Sequence, residues 1–393
     1  MIVLQGGDLV LPDRILTGSL LIDGHHIAVL DPRPKIDPGG ATVLNVSGHY
    51  VVPGFVDVHV HGVEGHDTLD GGRVIQEIAA RLPRYGVTAF CPTTVACSPS
   101  DLRAVLSAVR EERASASVAS SRVLAGHLES NFINPAYQGA QPPACLRRPD
   151  ATSGDGDFTG RDVLNVIEEF RADVGIVTLA PEIPGGLDLV AKLVAAGHCV
   201  SLGHSGATFD EATAAIDAGA RHATHLFNRM TPMTHREPGL PGAVLARSEV
   251  AAELICDGYH VHPAMCRTAI AAKGATRVMA ITDGTAGSGL PVGSFARLGR
   301  RPIRVGERAA LLPDGTLAGS TLTMDRAFAM LVASVGLSVV DAAVLCSTTP
   351  ARQLGLQGFG VLAEGQIADL VVLDRAFRVA KTFIEGREVY TQR

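Results

Sequence analysis

Side chains of the types that bind metal ions recur along this chain at regular places. His59 and His61 form a His-x-His pair, and residues two apart in a strand project to the same side, so both imidazoles point one way. Four more such side chains each follow a short apolar run: Glu129, His204, His225 and Asp283. Any one of them alone would more often be structural. Together they provide enough ligands for two divalent ions that share a bridging carboxylate, which we assign to Glu129.

This ligand set predicts hydrolytic chemistry. A bound metal ion lowers the pKa of water to about 7 and polarises a carbonyl group. A carboxylate beside that water can accept its proton and pass it to a leaving amine, and Asp283 is our candidate for this role. Zinc is favoured, although iron, manganese or cobalt would suit the same ligands, and the sequence leaves one or two ions per chain open.

Lysine usage narrows the kind of metal site. The chain has four lysines, and none follows a predicted barrel strand: Lys35, Lys192, Lys273 and Lys381. Hydrolases that bridge two metal ions with a carboxylated lysine are therefore disfavoured. Two further histidines, His127 and His222, are predicted to lie deeper in the fold as supporting or structural residues.

The elements that must position these ligands form a repeating pattern of short apolar runs and helix-like segments. Eight runs are predicted as strands: 54–60, 87–91, 123–128, 175–179, 199–203, 222–224, 251–255 and 278–282. Strands that alternate with helices predict a parallel sheet, and eight such units predict an α/β fold of the (β/α)8 TIM-barrel type. All six candidate ligands then lie at the carboxyl ends of strands, where barrel active sites form.

The two chain ends differ from the middle. Residues 1–52 and 360–393 alternate apolar and polar residues and are rich in turns, which predicts antiparallel strands. We expect both ends to build one small β-sandwich domain beside a catalytic barrel of residues 53–359. A module formed by the N-terminal segment alone is the alternative.

Composition excludes several classes of protein. Apolar residues make up 46% of the 393 residues and charged residues 19%, which favours a large buried core. The net charge of −6 comes without a basic block, so nucleic acid is a poor candidate partner. No signal peptide and no apolar run of ~18 residues is visible. Seven cysteines without a Cys-x-x-Cys pair predict a reduced, cytoplasmic protein.

Several motifs resemble one family. They are 52–62 (VPGFVDVHVHG), 126–129 (GHLE), 202–208 (LGHSGAT), 224–230 (THLFNRM), 236–239 (REPG), 257–260 (DGYH), 282–284 (TDG) and 317–323 (LAGSTLT). In this order they are similar to the N-acetylglucosamine-6-phosphate deacetylases of the amidohydrolase superfamily, over nearly the whole chain. The closing segment 365–371 (GQIADLV) resembles the returning β-domain of the superfamily.

The resemblance implies an activity and roles for residues. The reaction would convert N-acetylglucosamine 6-phosphate to glucosamine 6-phosphate and acetate, in a homodimer. Glu129, His204 and His225 would hold one ion, while His59, His61 and Asp283 would complete a second site. Arg236 would bind the phosphate group. The other residues at substrate-contact positions are Ala140, Gln141, Asn228, Arg229, His260, Leu317, Ala318 and Gly319.

Two positions depart from the family pattern. Ser130 and Asn131 replace the usual Gly-Pro after the bridging glutamate, and Gln141 stands where the family usually carries a histidine that polarises the acetyl carbonyl. We expect Gln141 to orient the carbonyl as a neutral hydrogen-bond donor.

Other functions stay open at this point. The runner-up is a related deacylase that acts on N-acetylgalactosamine 6-phosphate or another N-acyl amino sugar. A barrel that binds a sugar phosphate without catalysis is a second alternative, but such proteins tend to lose ligands and this chain retains all six.

Overall fold

A computed structural model of the chain describes residues 1–33, 39–115, 119–151 and 156–392. In chain order the strands are β1 (Ile2–Val10), β2 (Ile15–Asp23), β3 (His26–Asp31), β4 (Thr42–Asn45), β5 (Tyr50–Pro53), β6 (Phe55–Val60), β7 (Gly62–Val63), β8 (His66–Asp67), β9 (Val87–Thr94), β10 (Arg122–Val123), β11 (Gly126–Glu129), β12 (Val174–Leu179), β13 (Cys199–Leu202), β14 (His222–Ala223), β15 (Ala251–Ile255), β16 (Val278–Ile281), β17 (Phe295–Leu298), β18 (Arg301–Val305), β19 (Ala310–Leu311), β20 (Leu370–Leu373), β21 (Val379–Ile384) and β22 (Arg387–Thr391).

The α-helices are α1 (Val74–Arg81), α2 (Pro99–Ser115), α3 (Gly160–Glu169), α4 (Gly186–Ala195), α5 (Phe209–Asp217), α6 (Gly239–Ala246), α7 (Pro263–Lys273), α8 (Met324–Met330), α9 (Val339–Ala343) and α10 (Thr349–Gln353). Short 3-10 turns occupy Thr68–Asp70, Leu82–Tyr85, Pro135–Tyr137, Pro143–Cys145, Arg171–Asp173 and Ala275–Arg277. Two π-turns, Leu331–Val335 and Val344–Thr348, continue α8 and α9.

Eight parallel strands form a nearly closed barrel, as the sequence predicts: β6, β9, β11, β12, β13, β14, β15 and β16. A parallel bridge between Val60 and Gly284 joins the first and last of them. Helices α1 to α8 each follow one barrel strand. A capping box begins α5, because the Thr208 side chain accepts from the Glu211 amide and the Glu211 side chain accepts from the Thr208 amide.

Strands from both chain ends form a second sheet in the order β22-β21-β20-β5-β1-β2-β3, with β4 beside β1. This confirms the predicted contribution of both ends and rules out a module built from the N-terminal segment alone. The pairing differs from the predicted antiparallel arrangement in one respect: β4 and β5 run parallel to β1. The boundaries at residues 52/53 and 359/360 stay a prediction.

A third sheet was not predicted. Strands β17, β18 and β19 form an antiparallel insertion after the last barrel strand. Its inner face, which includes Leu298 and Ile303, packs against Val95 and Ala140. The insertion therefore covers one side of the barrel mouth, close to the candidate ligands.

An ion pair joins the end sheet to the barrel. The Arg122 guanidinium donates to Asp369 Oδ2 at 2.9 Å and to Glu385 Oε1 at 2.8 Å, and it lies 4.4 Å from the centre of the Phe359 ring. Asp369 is 3% exposed. Burial raises the pKa of Asp369, and the guanidinium only partly offsets that effect.

We expect Arg122→Ala to lower the free energy of unfolding by about 2–4 kcal/mol, because it leaves a buried carboxylate without its partner. The matched control is Arg378→Ala. Arg378 pairs with Asp374 across an exposed surface, and its loss should cost less than about 1 kcal/mol. Urea unfolding measures both values; equal losses would contradict the special role of Arg122.

Candidate metal centre and active site

The barrel brings all six candidate ligands to the carboxyl ends of its strands. His59 and His61 come from the end of β6, and Glu129 is the last residue of β11. The other three follow β13, β14 and β16 directly, and each has a left-handed backbone: His204 with φ 48°, His225 with φ 28° and Asp283 with φ 48°. Such a backbone costs roughly 1–3 kcal/mol in a residue other than glycine and is concentrated at functional sites.

One group of ligand atoms converges on Glu129. Its Oε1 lies 2.9 Å from His204 Nε2 and 2.8 Å from His225 Nε2, and the two Nε2 atoms are 3.1 Å apart. All three residues are buried.

A second group shares the same carboxylate. His61 Nε2 lies 3.5 Å from Glu129 Oε2, and His59 Nε2 lies 3.2 Å from His61 Nε2. Asp283 Oδ1 is 3.4 Å from His59 Nε2 and 3.3 Å from His61 Nε2. Glu129 thus stands between two groups, which is the arrangement expected of a bridging ligand.

The donor set fits divalent cations. Imidazole nitrogens and carboxylate oxygens are preferred ligands of zinc and its first-row neighbours. The ligand atoms of Glu129, His204 and His225 lie within 4.8 Å of one another, and so do those of His59, His61 and Glu129. Two imidazole nitrogens that both present lone pairs across about 3 Å repel unless a proton or a metal ion is shared between them. These residues could hold a metal ion in each group.

The electrostatics of the cluster follow from burial and opposite charge. Burial alone would raise the pKa of Glu129, but the neighbouring His204, His225 and His61 imidazoles outweigh it and hold that pKa well below its usual value. Burial would likewise lower the pKa of His225, yet Glu129 and Asp283 raise it to about 9.

A carboxylate below the ligands supports them, and sequence reasoning missed it. Glu253 Oε2 lies 2.9 Å from His59 Nδ1 and accepts from the His225 amide at 3.1 Å, while Oε1 lies 3.0 Å from His222 Nε2. Glu253 is fully buried, and the imidazoles of His59 and His222 overcome the effect of burial and hold its pKa well below the usual value. The one available signal was a glutamate inside the apolar strand 251–255.

His127 and Asp57 complete this buried layer. His127 Nδ1 lies 2.9 Å from the Val58 carbonyl and Nε2 lies 2.7 Å from Thr178 Oγ1, which agrees with the predicted deeper position. Burial and the nearby His59 lower the pKa of His127 to about 3, so its imidazole is neutral. Asp57, which sequence reasoning also missed, accepts from the Thr282 hydroxyl at 2.6 Å. Burial raises the pKa of Asp57 to about 7.

A cavity opens above the ligands, and most of the predicted site residues line it. They are His61, Glu129, Ala140, Gln141, His204, His225, Asn228, Arg229, His260, Asp283, Leu317 and Gly319, joined by Leu298 from the insertion. His59 lies just below, fully buried. Ala318 is buried as well, and its amide donates to the Ala310 carbonyl at 3.0 Å.

Arg236 is not brought to this cavity. It is exposed on the segment between Thr231 and Pro238 and is absent from the residues that line the cavity wall. The nearby Arg229 does line the wall. A Cβ atom at Gly139 would lie 2.7 Å from Arg229 Nε, so the missing side chain of this glycine leaves room for the guanidinium. Among the described residues, no hydrogen bond or ion pair engages that guanidinium.

Gln141 contacts the bridging carboxylate. Its Nε2 donates a short hydrogen bond to Glu129 Oε2, and its Oε1 accepts from the Ala96 amide at 2.7 Å. These two partners fix which end of the amide faces the ligands. The other departure, Ser130-Asn131, is accommodated by backbone contacts: Ser130 Oγ donates to the Thr178 carbonyl, and Asn131 Nδ2 donates to the carbonyls of Cys97 and Cys145.

No lysine of the described residues lines the cavity above the ligands. Lys273 donates to the carbonyls of Val244 and Arg247 instead. Lys35 lies outside the described residues.

Comparison with known proteins agrees with this geometry. The model of the amidohydrolase family matches residues 50–389. This chain is a member of the amidohydrolase family. It is 34% identical to N-acetylglucosamine-6-phosphate deacetylase of Bacillus subtilis, over 93% of this chain and 90% of that protein. It is 33% identical to N-acetylgalactosamine-6-phosphate deacetylase of Escherichia coli O157:H7, over 95% of this chain and 97% of that protein.

A solved relative carries a ligand. A mutant of N-acetyl-D-glucosamine-6-phosphate deacetylase from Mycobacterium smegmatis, in complex with N-acetyl-D-glucosamine-6-phosphate, superposes with a TM-score of 0.89. It is 33% identical and covers 99% of both chains. The amidohydrolase assignment therefore extends over the barrel and the end sheet alike.

We expect Glu129→Ala to remove most of the bound metal, because one carboxylate serves both ligand groups. Elemental analysis of the purified variant measures the metal content per chain. The control is Glu64→Ala, since Glu64 pairs with Arg84 and Tyr85 away from the ligands. Unchanged metal content in Glu129→Ala, with circular dichroism showing a folded protein, would contradict the bridging role.

Proposed function

We propose that this amidohydrolase removes the acetyl group of N-acetylglucosamine 6-phosphate and releases glucosamine 6-phosphate and acetate. The observation that carries the proposal is the buried ligand cluster around Glu129, which opens into a cavity lined by the residues that match substrate-contact positions. The names of the relatives, and the ligand in one of them, support the same substrate class.

The six ligands are proposed to hold two divalent ions, with zinc favoured. A bound ion would act as a Lewis acid toward water and toward the amide carbonyl. Glu129, His204 and His225 would hold one ion, and His59, His61 and Asp283 would complete the other site. Glu253 keeps the His59 ring in a fixed orientation, because its carboxylate accepts a hydrogen bond from Nδ1–H and leaves Nε2 facing the site.

Asp283 is proposed as the proton shuttle. Its carboxylate borders the cavity at the strand end, where it can accept a proton from the attacking water and donate it to the amine of the leaving sugar. Gln141 is proposed to orient the acetyl group or the bridging carboxylate through its Nε2 donor, the atom that faces the site. His260 has its Nδ1 engaged by Asp257 at 2.6 Å, which leaves Nε2 for a sugar hydroxyl.

For the phosphate group, the cavity offers Arg229. A guanidinium presents a planar set of donors that matches phosphate oxygens. Arg236, the residue expected from the resemblance, would have to reach the ligand from its exposed segment or from a second copy of the chain. Asn228, Leu317, Ala318 and Gly319 stay proposed as substrate contacts; for Ala318 the amide is already engaged, so only its carbonyl is available.

The alternative is the epimeric substrate N-acetylgalactosamine 6-phosphate, which one relative is named for. A non-catalytic barrel is disfavoured because the ligand set is complete. A homodimer and a cytoplasmic location stay predictions. No helix among the described residues is long and apolar enough to cross a membrane.

Acetate release from a panel of N-acetylated sugars tests the proposal. We expect N-acetylglucosamine 6-phosphate to give the highest kcat/KM, above its galactose epimer and above the sugars without phosphate. In the same assay Asp283→Asn should lower kcat by a factor on the order of 10² or more. A higher kcat/KM for N-acetylgalactosamine 6-phosphate would favour the alternative substrate. If the metal-loaded protein released no acetate from any of these sugars, the proposed deacetylase activity would be refuted.

Arg229→Ala should lower kcat/KM for the phosphorylated substrate and leave kcat/KM for a non-phosphorylated analogue nearly unchanged. Loss of a charge-assisted hydrogen bond costs roughly 1.5–3 kcal/mol, so kcat/KM for the phosphorylated sugar should fall about tenfold or more. Arg236→Ala is the paired variant: an equal and selective loss would bring Arg236 into the phosphate site. Equal losses on both substrates would show that Arg229 acts on the structure and not on the phosphate.

A further inference from the structure

A second group of reactive side chains lies at the opposite end of the barrel. Cys199 is the first residue of β13 and His222 the first residue of β14, so both stand at the amino ends of parallel strands. Cys199 Sγ lies 3.6 Å from His222 Nδ1, and His222 Nε2 lies 3.0 Å from Glu253 Oε1. Thiol, imidazole and carboxylate form one chain of contacts, which is the arrangement that activates a cysteine nucleophile.

The carboxylate determines what the imidazole can do. Glu253 is an acceptor, so the His222 nitrogen facing it carries a proton and Nδ1 faces the thiol, where it can accept the thiol proton. Burial alone would lower the pKa of His222, but the neighbouring Cys199 sulfur and Glu253 outweigh it and raise that pKa to about 10, so the imidazolium that forms when Nδ1 accepts the thiol proton is favoured beside the Cys199 thiolate. Gln353 Nε2 provides a further donor 3.9 Å from the sulfur.

The thiol is accessible from a cavity. Cys199 is half-buried, whereas His222 and Glu253 are fully buried. The cavity beside it has a volume of about 790 Å³. Its charged lining residues are Arg110, Arg113, Arg122 and Asp173. Arg110 and Arg113 both bind the carboxylate of Asp173, at 2.6 and 2.5 Å, and Arg122 binds Asp369 and Glu385, so the arginines of the wall are paired with carboxylates.

We propose that Cys199, held by His222 and Glu253, is a nucleophilic thiol that forms a mixed disulfide with small disulfides that enter the cavity. His222 Nδ1 takes the thiol proton, and the Cys199 sulfur attacks one sulfur of the incoming disulfide. The original S–S bond breaks, a new one forms to Cys199, and the other half leaves as a thiolate that takes up a proton. The exchange involves no net oxidation.

The chain contains an internal control for this proposal. Cys145 is the other half-buried cysteine, and the remaining five are buried. Burial raises the pKa of the Cys145 thiol, and no imidazole or carboxylate is hydrogen-bonded to its sulfur among the described residues. Cys145 therefore reports the reactivity of a comparably accessible thiol without the His222–Glu253 pair.

The test incubates the metal-loaded protein with oxidised glutathione at pH 7 and follows each cysteine by peptide mass spectrometry. We expect Cys199 to gain the glutathionyl group at least tenfold faster than Cys145. His222→Gln should remove that advantage, while Cys199→Ser abolishes the modified peptide and leaves Cys145 unchanged. A rate for Cys199 equal to or below that of Cys145 in the unaltered protein would overturn the proposal, even if the His222 variant failed to fold.

Discussion

The active end of this molecule depends on placing several polar and charged groups in a space from which water is largely excluded. Nitrogen atoms of neighbouring imidazoles approach within 3.1–3.2 Å, around a glutamate that is 3% exposed. Such a cluster is costly unless each group has a compensating partner. The barrel meets this condition in two layers. Glu129 lies among the imidazoles in the upper layer, and Glu253 in the lower layer accepts hydrogen bonds from His59 Nδ1 and from the His225 amide. A cation in the upper layer would complete the compensation.

Much of this could be predicted from the sequence because it follows from periodicity. Strand ends in a parallel barrel meet at one face, so side chains that follow eight apolar runs had to converge, as His59, His204 and Asp283 do. The capping box of Thr208 and Glu211 could also be predicted, because it depends only on two residues three positions apart in the sequence. The pattern predicts which face a residue occupies, however, and not which atoms it touches.

What the sequence could not predict depends on contacts between distant segments. Glu253 sits in the middle of an apolar strand, where an isolated carboxylate is unexpected until the imidazoles of His59 and His222 are known to surround it. The β17–β19 insertion has no helical or barrel pattern to announce it, and its Leu298 enters the cavity wall only through tertiary packing. Arg229 and Arg236 look alike in sequence. Only the backbone path shows that Arg229 borders the cavity and that Arg236 does not.

The segment from His225 to Arg229 joins a candidate metal ligand to a residue that lines the cavity. Alternate residues in it have left-handed backbones, with φ of 28° at His225, 78° at Phe227 and 51° at Arg229. Each costs roughly 1–3 kcal/mol, which must be offset by the surroundings. The Leu226 amide donates to the Glu253 carbonyl at 2.9 Å, and the Arg229 carbonyl accepts from the Ser205 amide at 3.0 Å.

Those two contacts attach the strained segment to β15 on one side and to the loop after β13 on the other. A ligand imidazole and the cavity-lining guanidinium are thereby parts of one constrained turn. A change of backbone that moved the guanidinium toward a different substrate would also move His225 away from Glu129. Substrate preference in this architecture is therefore free to change through the side chain at position 229 and through the covering insertion, but not through the path of the chain between them.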